Sequence, residues 1–185
     1  MNDEIATYLG KKGYTIHKKN ITIDEEHYIR DALTITPFIP NSPIKLDSFP
    51  IYRESPKKFY IPRFFGNKTY GVPNELKISE GDDIDITFQG EMRDYQVNIV
   101  NTYMKHVKDE EGGGLLEIPC GRGKTIMALN IIAKLKKKTL VIVHKGFLLN
   151  QWIERIEAFL PDAKVGKIQG PVVDIEGKDI VIGML

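Results

Sequence analysis

The sequence predicts an α/β fold with a parallel sheet in its second half, preceded by a small α+β domain. The apolar runs 115–118 and 139–143 have the length and composition of strands buried in a parallel sheet. A helical pattern follows each run, over 124–136 and about 146–159, and strand–helix alternation is typical of parallel sheets. Seven of the ten prolines lie within 37–73, which favours short strands and turns in the first half.

Bulk composition narrows the class of protein. The 185 residues suffice for two domains, which we predict as 1–90 and 91–185, with the boundary near Gly90. A net charge of +1 means that any contact with nucleic acid must be local. The single cysteine, Cys120, excludes an intramolecular disulfide and fits a reducing compartment. No apolar run approaches the roughly 18 residues of a membrane span, so we expect a soluble, intracellular protein with no membrane partner.

In the first domain, local patterns predict one helix and several short strands. Residues 22–25 have the pattern of a capping box, which predicts a helix of about ten residues ending near residue 33. Apolar residues and threonines alternate over 33–39, as in a strand. The aromatic segment 44–65 predicts short strands broken by proline, and the alternation over 84–88 predicts a last strand before the boundary.

In the second domain, the pattern alternates between helix and strand. Residues 93–107 place apolar side chains at helical spacing on one face, which predicts a helix. After the two strands and two helices named above, further strands are predicted at 165–169 and 179–184. The lysines at 136–138 stand where a helix should end and are interpreted as a solvated cap.

A glycine-containing loop joins the first predicted strand of this domain to its helix. It reads Pro119, Cys120, Gly121, Arg122, Gly123, Lys124 and Thr125. Glycines allow a tight turn, and the helix N-terminus directs backbone N–H groups and a positive dipole at one point, which suits a polyphosphate. Lys124 could then reach the β- and γ-phosphates and the Thr125 hydroxyl could bind Mg²⁺, so these two are the predicted catalytic residues. Strict GxxxxGK[ST] has glycine where Ile118 stands, and the alternative is a turn that only caps a helix.

Four segments in order resemble motifs of superfamily 2 helicases, in the branch that contains the repair translocase of general transcription factor H and helicases of large DNA viruses. These segments are 93–96, 117–125, 140–152, and 166–170 with 179–184. The resemblance implies an incomplete RecA-like P-loop lobe, from the N-terminal part of an ATP-dependent DNA or RNA helicase or translocase. It implies ATP and Mg²⁺ as cofactors, DNA or RNA as partner together with transcription or replication machinery, and a nuclear, viral-factory or virion location.

The resemblance also implies roles for single residues, each with a structural alternative. Gln96 would read the adenine edge, or it would cap or solvate its own helix. Arg93 would support the adenine or a phosphate, or pair with Asp94 or Glu91. Lys145 would contact the nucleic-acid backbone, or face solvent. With the loop residues 119–125, Arg93 and Gln96 complete the expected ATP-binding set.

Segment 49–66 interleaves aromatic and cationic residues. The rings are Tyr52, Phe59, Tyr60, Phe64 and Phe65, and the cations are Arg53, Lys57, Lys58 and Arg63. This pattern suits a surface on which single-stranded bases stack. It also suits a small β-domain with a ring-filled core and water-facing cations, which we favour, and a surface that docks on an ATPase lobe.

After Thr125 no Asp-Glu pair follows an apolar strand. In the helicases that the chain resembles, such a pair positions Mg²⁺ and the attacking water, and a second lobe supplies an arginine. We therefore expect that this chain alone does not hydrolyse ATP and that it self-associates through an exposed sheet edge. The alternative function is a non-catalytic module that binds nucleic acid or a polymerase partner and keeps the loop as a structural element. A small P-loop kinase is disfavoured because no lid or second arginine cluster follows the loop.

Overall fold

The computed structural model describes residues 6–38, 40, 46–109 and 112–185. Contacts divide the chain into two compact units, Met1–Glu80 and Gly81–Leu185. The sequence-based boundary at Gly90 therefore falls inside the second unit, because Ile84 and Ile86 pack in that unit's core. Within the described residues, no helix is both long and apolar enough to span a bilayer.

The first unit is a five-stranded sheet with helices, as expected for a small α+β domain. Its strands are β1 (Thr7–Gly10), β2 (Gly13–His17), β5 (Arg53–Glu54), β6 (Lys58–Ile61) and β7 (Glu75–Leu76), in the order β5-β6-β2-β1-β7. A separate pair consists of β3 (Thr34–Ile35) and β4 (Phe49–Pro50). The helices are a short 3-10 turn (Lys18–Asn20), α1 (Ile23–Ala32) and α2 (Arg63–Tyr70).

Alternation along β1, β2 and β6 gives this sheet a core side. The buried core consists of Leu9, Tyr14, Ile16, Ile29, Leu33, Phe59 and Ile61. Helix α1 covers that side through Ile29, and the predicted capping box is confirmed: Glu25 N donates to Thr22 Oγ1 at 3.2 Å and Thr22 N donates to Glu25 Oε2 at 2.7 Å.

Three strand predictions in the first 90 residues need correction. The strand expected over 33–39 is limited to β3, and Ile39 lies outside the described residues. In 44–65, part of which is not described, the last residues begin helix α2, because Pro62 fixes a backbone angle that suits the residue before a helix. Segment 84–88 forms no strand. Its alternation buries Ile84 and Ile86, but no neighbouring strand pairs with the whole segment. Ile84 N donates to Lys136 O at 3.0 Å.

The second unit confirms the α/β class with a parallel sheet. The strands β8 (Thr139–Val143), β9 (Val165–Gln169), β10 (Val172–Asp174) and β11 (Ile180–Met184) lie in the order β10-β9-β11-β8. Strand β11 is parallel to both β8 and β9, and β10 is antiparallel to β9. Helices α3 (Asp94–Asp109), α4 (Lys124–Leu135) and α5 (Gly146–Phe159) match the predicted helices closely. Lys136 caps α4 in the left-handed conformation, as expected of the lysine run.

The strand predicted at 115–118 is absent. Leu115 is 91% exposed, whereas Leu116 and Ile118 pack against a cluster built on Val100, Met127 and Ile131 of α3 and α4. An extended segment becomes a strand only when a neighbour satisfies its N–H and C=O groups, and within the described residues the sheet ends at β8. The segment therefore leads into the glycine loop as extended chain packed on helices.

Candidate phosphate-binding site

The loop ahead of α4 adopts a backbone that glycine favours at two positions. Gly121 has φ 77° and Gly123 has φ 80°, both in the left-handed region. Gly123 is the N-cap of α4, so the free N–H groups of the first helical turn begin directly after it. A Cβ on Gly123 would lie 2.5 Å from Gln96 Nε2, whereas a Cβ on Gly121 would meet nothing within 4 Å. The sequence therefore folds into a tight turn that opens the helix N-terminus.

A cleft of about 420 Å³ lies over this turn. It is lined by Cys120, Gly121, Gly123, Lys124, Thr125, Ile126, Gln151 and Arg155. No carboxylate is among these lining residues, and Lys124, Arg155 and the helix N-terminus all contribute positive charge. The cleft therefore has the charge that a polyphosphate requires.

Two lining residues come from α5 and were not predicted from the sequence. Gln151 and Arg155 stand four residues apart, so they share one face of that helix. Their polar spacing was visible in the sequence, but their approach to the loop depends on the packing of α5 against α4 and the sheet. Arg155 adds a planar, permanently charged group to the lining of the cleft.

Lys124 folds back over its own loop. Its Nζ donates to Ile118 O at 3.1 Å and lies 3.9 Å from Cys120 Sγ. An ammonium group has three donors, so this arrangement leaves capacity for an anion in the cleft. Thr125, on the first turn of α4, lines the same cleft with its hydroxyl-bearing side chain.

Gln96 is 5% exposed and joins α3 to the loop. Its Oε1 accepts from Arg93 N at 3.0 Å, as the third helical residue does in a capping box. Its Nε2 donates to Arg122 O at 3.1 Å. The amide keeps one further N–H and one further lone pair beyond these bonds. The structural alternative raised by the sequence is thus realised, and adenine recognition stays a prediction.

Tyr95, on the first turn of α3, also faces the loop. Its Oη donates to Arg122 O at 3.3 Å, and the Arg122 guanidinium lies 5.6 Å from the Tyr95 ring centroid. Arg93 Nη1 is 3.5 Å from Tyr95 Oη. These contacts hold Arg93 and Arg122 beside the loop, while Pro119, Arg93, Gln96 and Arg122 do not line the cleft itself.

Lys145 lies away from the cleft lining. It is exposed, lies two residues after the end of β8 and is the N-cap of α5, with its carbonyl accepting from Leu148 N at 3.1 Å. Trp152 is partly buried and packs against the core of the second unit.

Comparisons with known proteins cover both units. Residues 89–184 match the family described as "Type III restriction enzyme, res subunit". A candidate ATP-dependent RNA helicase of Acanthamoeba polyphaga mimivirus is 35% identical over 98% of this chain and 36% of its own length. A DNA 3'-5' translocase of Sulfurisphaera tokodaii is 36% identical over 49% of the chain and 19% of its own length. A candidate helicase of Invertebrate iridescent virus 6 is 40% identical over 54% and 22%. The chain therefore spans little more than a third of the first of these relatives and less of the others.

Proposed function

Because the chain belongs to the type III restriction enzyme res subunit family, and with it to the superfamily 2 helicases, we propose that it binds Mg-ATP at loop 119–125 as part of a nucleic-acid helicase or translocase. The observation that carries this proposal is a cleft that is lined by Lys124 and Thr125 at the α4 N-terminus and by Arg155, with no carboxylate among its lining residues. The curated relatives are named as helicases or translocases.

Different residues of the cleft would bind different parts of a polyphosphate. The first N–H groups of α4 would bind phosphate oxygens, with Gly121 and Gly123 allowing close approach. Lys124 would exchange its bond to Ile118 O for a phosphate, and Arg155, which also lines the cleft, would offer a two-pronged contact.

Thr125 fits the metal role that the sequence suggested. Mg²⁺ keeps several waters and takes few protein ligands when substrate phosphates share it. A lone hydroxyl in the cleft meets that need, and the described residues contain no cluster of three or more His, Cys, Asp or Glu side chains that would hold a metal by itself. When bound, Mg²⁺ would neutralise phosphate charge.

Adenine recognition would use the remaining capacity of Gln96. Its amide could donate to N7 and accept from the N6 amino group of adenine while keeping the bonds to Arg93 N and Arg122 O. Arg93, whose Nη1 lies 3.5 Å from Tyr95 Oη near the start of α3, would support the base or a phosphate.

Lys145 would contact the nucleic-acid backbone. It stands at the carboxyl end of a parallel strand, where open α/β sheets bind their ligands, and its side chain is exposed. Relatives are named for RNA and for DNA, so the substrate is proposed only as DNA or RNA.

Bond patterns at the loop favour a second candidate, a non-catalytic nucleic-acid module with a structural loop. Lys124 and Gln96 both bind loop carbonyls, as they would if the loop had only to hold itself together. Calorimetric titration of this chain with Mg-ATP separates the two. We expect saturable binding that Lys124→Ala removes, without turnover, because no carboxylate lines the cleft. Absence of binding in the folded wild-type chain would favour the structural module.

A further inference from the structure

The side of the five-stranded sheet opposite its core carries two tyrosines in one row. We call this side the outer face. Register places Tyr8 beside Thr15, Thr15 beside Tyr60, and Tyr60 beside Arg53, and cross-strand partners share a face. Thr15 is 1% exposed, so the two larger side chains on either side of it form the surface. Two strand spacings, about 10 Å, separate the backbone positions of Tyr8 and Tyr60.

Cations surround both rings. Lys58 Nζ donates to Tyr8 Oη at 3.1 Å, and Lys77 Nζ lies 4.3 Å from the Tyr8 ring centroid. Lys12 Nζ lies 4.9 Å from the Tyr60 ring centroid. Glu75 pairs with Lys77 at 2.9 Å, so the outer face holds a carboxylate. The contacts of Lys12 with Tyr60 and of Lys58 with Tyr8 do not neutralise the charges of these two lysines.

Cations elsewhere in the unit are arranged differently. Lys18 and Arg30 lie over the core ring of Phe59, and both pair with Glu54, at 2.6 Å and 3.0 Å. Those charges are balanced within the fold. The contrast indicates that the positive charge of the outer face serves something other than the stability of the unit.

Titration of His17 reflects the same excess of positive charge. Its ring lies 6.4 Å from that of Tyr8. Burial lowers the pKa of His17 first, and the charges of Lys58, Lys19 and Lys77 lower it further. The surface therefore has a positive potential that extends beyond single contacts.

We propose that the outer face binds single-stranded nucleic acid, with bases stacked on Tyr8 and Tyr60 and phosphates held by Lys12, Lys58 and Lys77. Open sheets with outward rings stack unpaired bases, whereas a duplex keeps its bases stacked on one another. The lysines now over the rings have long flexible stems, so a base can take the ring face while the ammonium group moves to a phosphate. The rings of segment 49–66 divide between the two alternatives drawn from the sequence, because Phe59 packs in the core whereas Tyr60 lies on the outer face.

Binding and cross-linking on the whole chain test this proposal without nucleotide, so the ATP proposal is not involved. The probes are fluorescein-labelled oligothymidylate and oligouridylate of about 20 nucleotides, with a matched duplex for comparison. We expect the single strands to bind more tightly than the duplex, and the Tyr8→Leu/Tyr60→Leu variant to bind them at least about tenfold more weakly. The same oligonucleotides with 5-bromouracil should cross-link to peptides that contain Tyr8 or Tyr60.

Matched variants separate stacking from misfolding. Tyr28→Leu removes an exposed tyrosine of α1, the helix on the core side, and should bind as the wild type. Tyr60→Phe keeps the ring and should retain binding that Tyr60→Leu loses. Equal binding by the wild type and the double variant would overturn the proposal, and so would cross-links confined to 81–185. Binding lost with Lys58→Gln but indifferent to both tyrosines would mean a simple polyanion site and would also overturn it.

Discussion

The Gln96 side chain packs closely against Gly123 at the start of α4, so that a Cβ on the glycine would lie 2.5 Å from the glutamine Nε2. The same glutamine nitrogen donates to Arg122 O, one residue before that glycine. The conformation of the loop is therefore set jointly by a helix N-terminus and by a buried amide from a different helix.

Gly123→Ala should damage this arrangement more than Gly121→Ala does. Both positions have positive φ, so each substitution strains the backbone by about 1 kcal/mol. Only the first also drives a methyl group into Gln96. Thermal unfolding and ATP titration of the two variants should show the larger loss for Gly123→Ala, and equal losses would mean that the contact with Gln96 carries no weight.

Gln96→Ala should lower the affinity for both ATP and GTP, because the loop loses the hydrogen bond from Gln96 Nε2 to Arg122 O. An additional loss for ATP alone, about 1–3 kcal/mol, is expected if the amide also reads adenine. The ratio of the two dissociation constants measures that difference directly. An unchanged ratio would restrict Gln96 to the structural role.

Arg155→Met should weaken triphosphate binding about tenfold and weaken AMP binding less, since the expected contact is to the outer phosphates. The side chain is exposed, so the folded state should be preserved. Glu154→Gln, on the same helix but outside the cleft, provides the control. Equal losses of affinity for AMP and ATP would mean that Arg155 does not contact the outer phosphates.

Protonation of Glu54 should make the first unit less stable in acid. Hydrogen bonds from Arg30 and then from Lys18 lower the pKa of this carboxyl from its ordinary 4.5. A group whose pKa is lowered on folding stabilises the fold while ionised, and that contribution is lost as the pH falls below about 4.5 through the folded pKa. The wild type and Glu54→Gln should therefore differ in stability at pH 7, and the difference should shrink as the pH falls below about 4.5. A constant difference would contradict the assignment.

The free side of β8 should mediate self-association. Leu140 is 55% and Ile142 59% exposed, on a strand that pairs with β11 alone among the described strands. Ile142→Lys should shift sedimentation toward the monomer at concentrations where the wild type associates. A wild-type chain that stays monomeric would refute this expectation.

Local signals allowed part of the fold to be predicted. Helix α1 was evident from its capping box, and β8 from an unbroken apolar run. Strands β1 and β2 were missed because they span only four and five residues, which is too short for a periodic pattern to stand out. Segment 115–118 was assigned as a strand from composition, yet pairing depends on a neighbour that the segment's own residues do not specify.

The candidate phosphate-binding site could likewise be predicted only in part from the sequence. The loop could be predicted because a tight turn into a helix requires glycine at fixed positions. Gln151 and Arg155 could not, because their position over the loop arises from helix packing. The bonds of Gln96 to Arg93 and Arg122 likewise depend on how α3 meets the loop.

Cys120 offers the most direct measurement of the central claim, that the loop binds ATP. It is the single cysteine of the chain, it is exposed, and it lines the cleft beside Lys124. The rate of its alkylation should fall as Mg-ATP is added and reach a plateau in the wild type, while Lys124→Ala should show no protection. An alkylation rate in the folded wild-type chain that stays constant up to millimolar Mg-ATP would contradict the account.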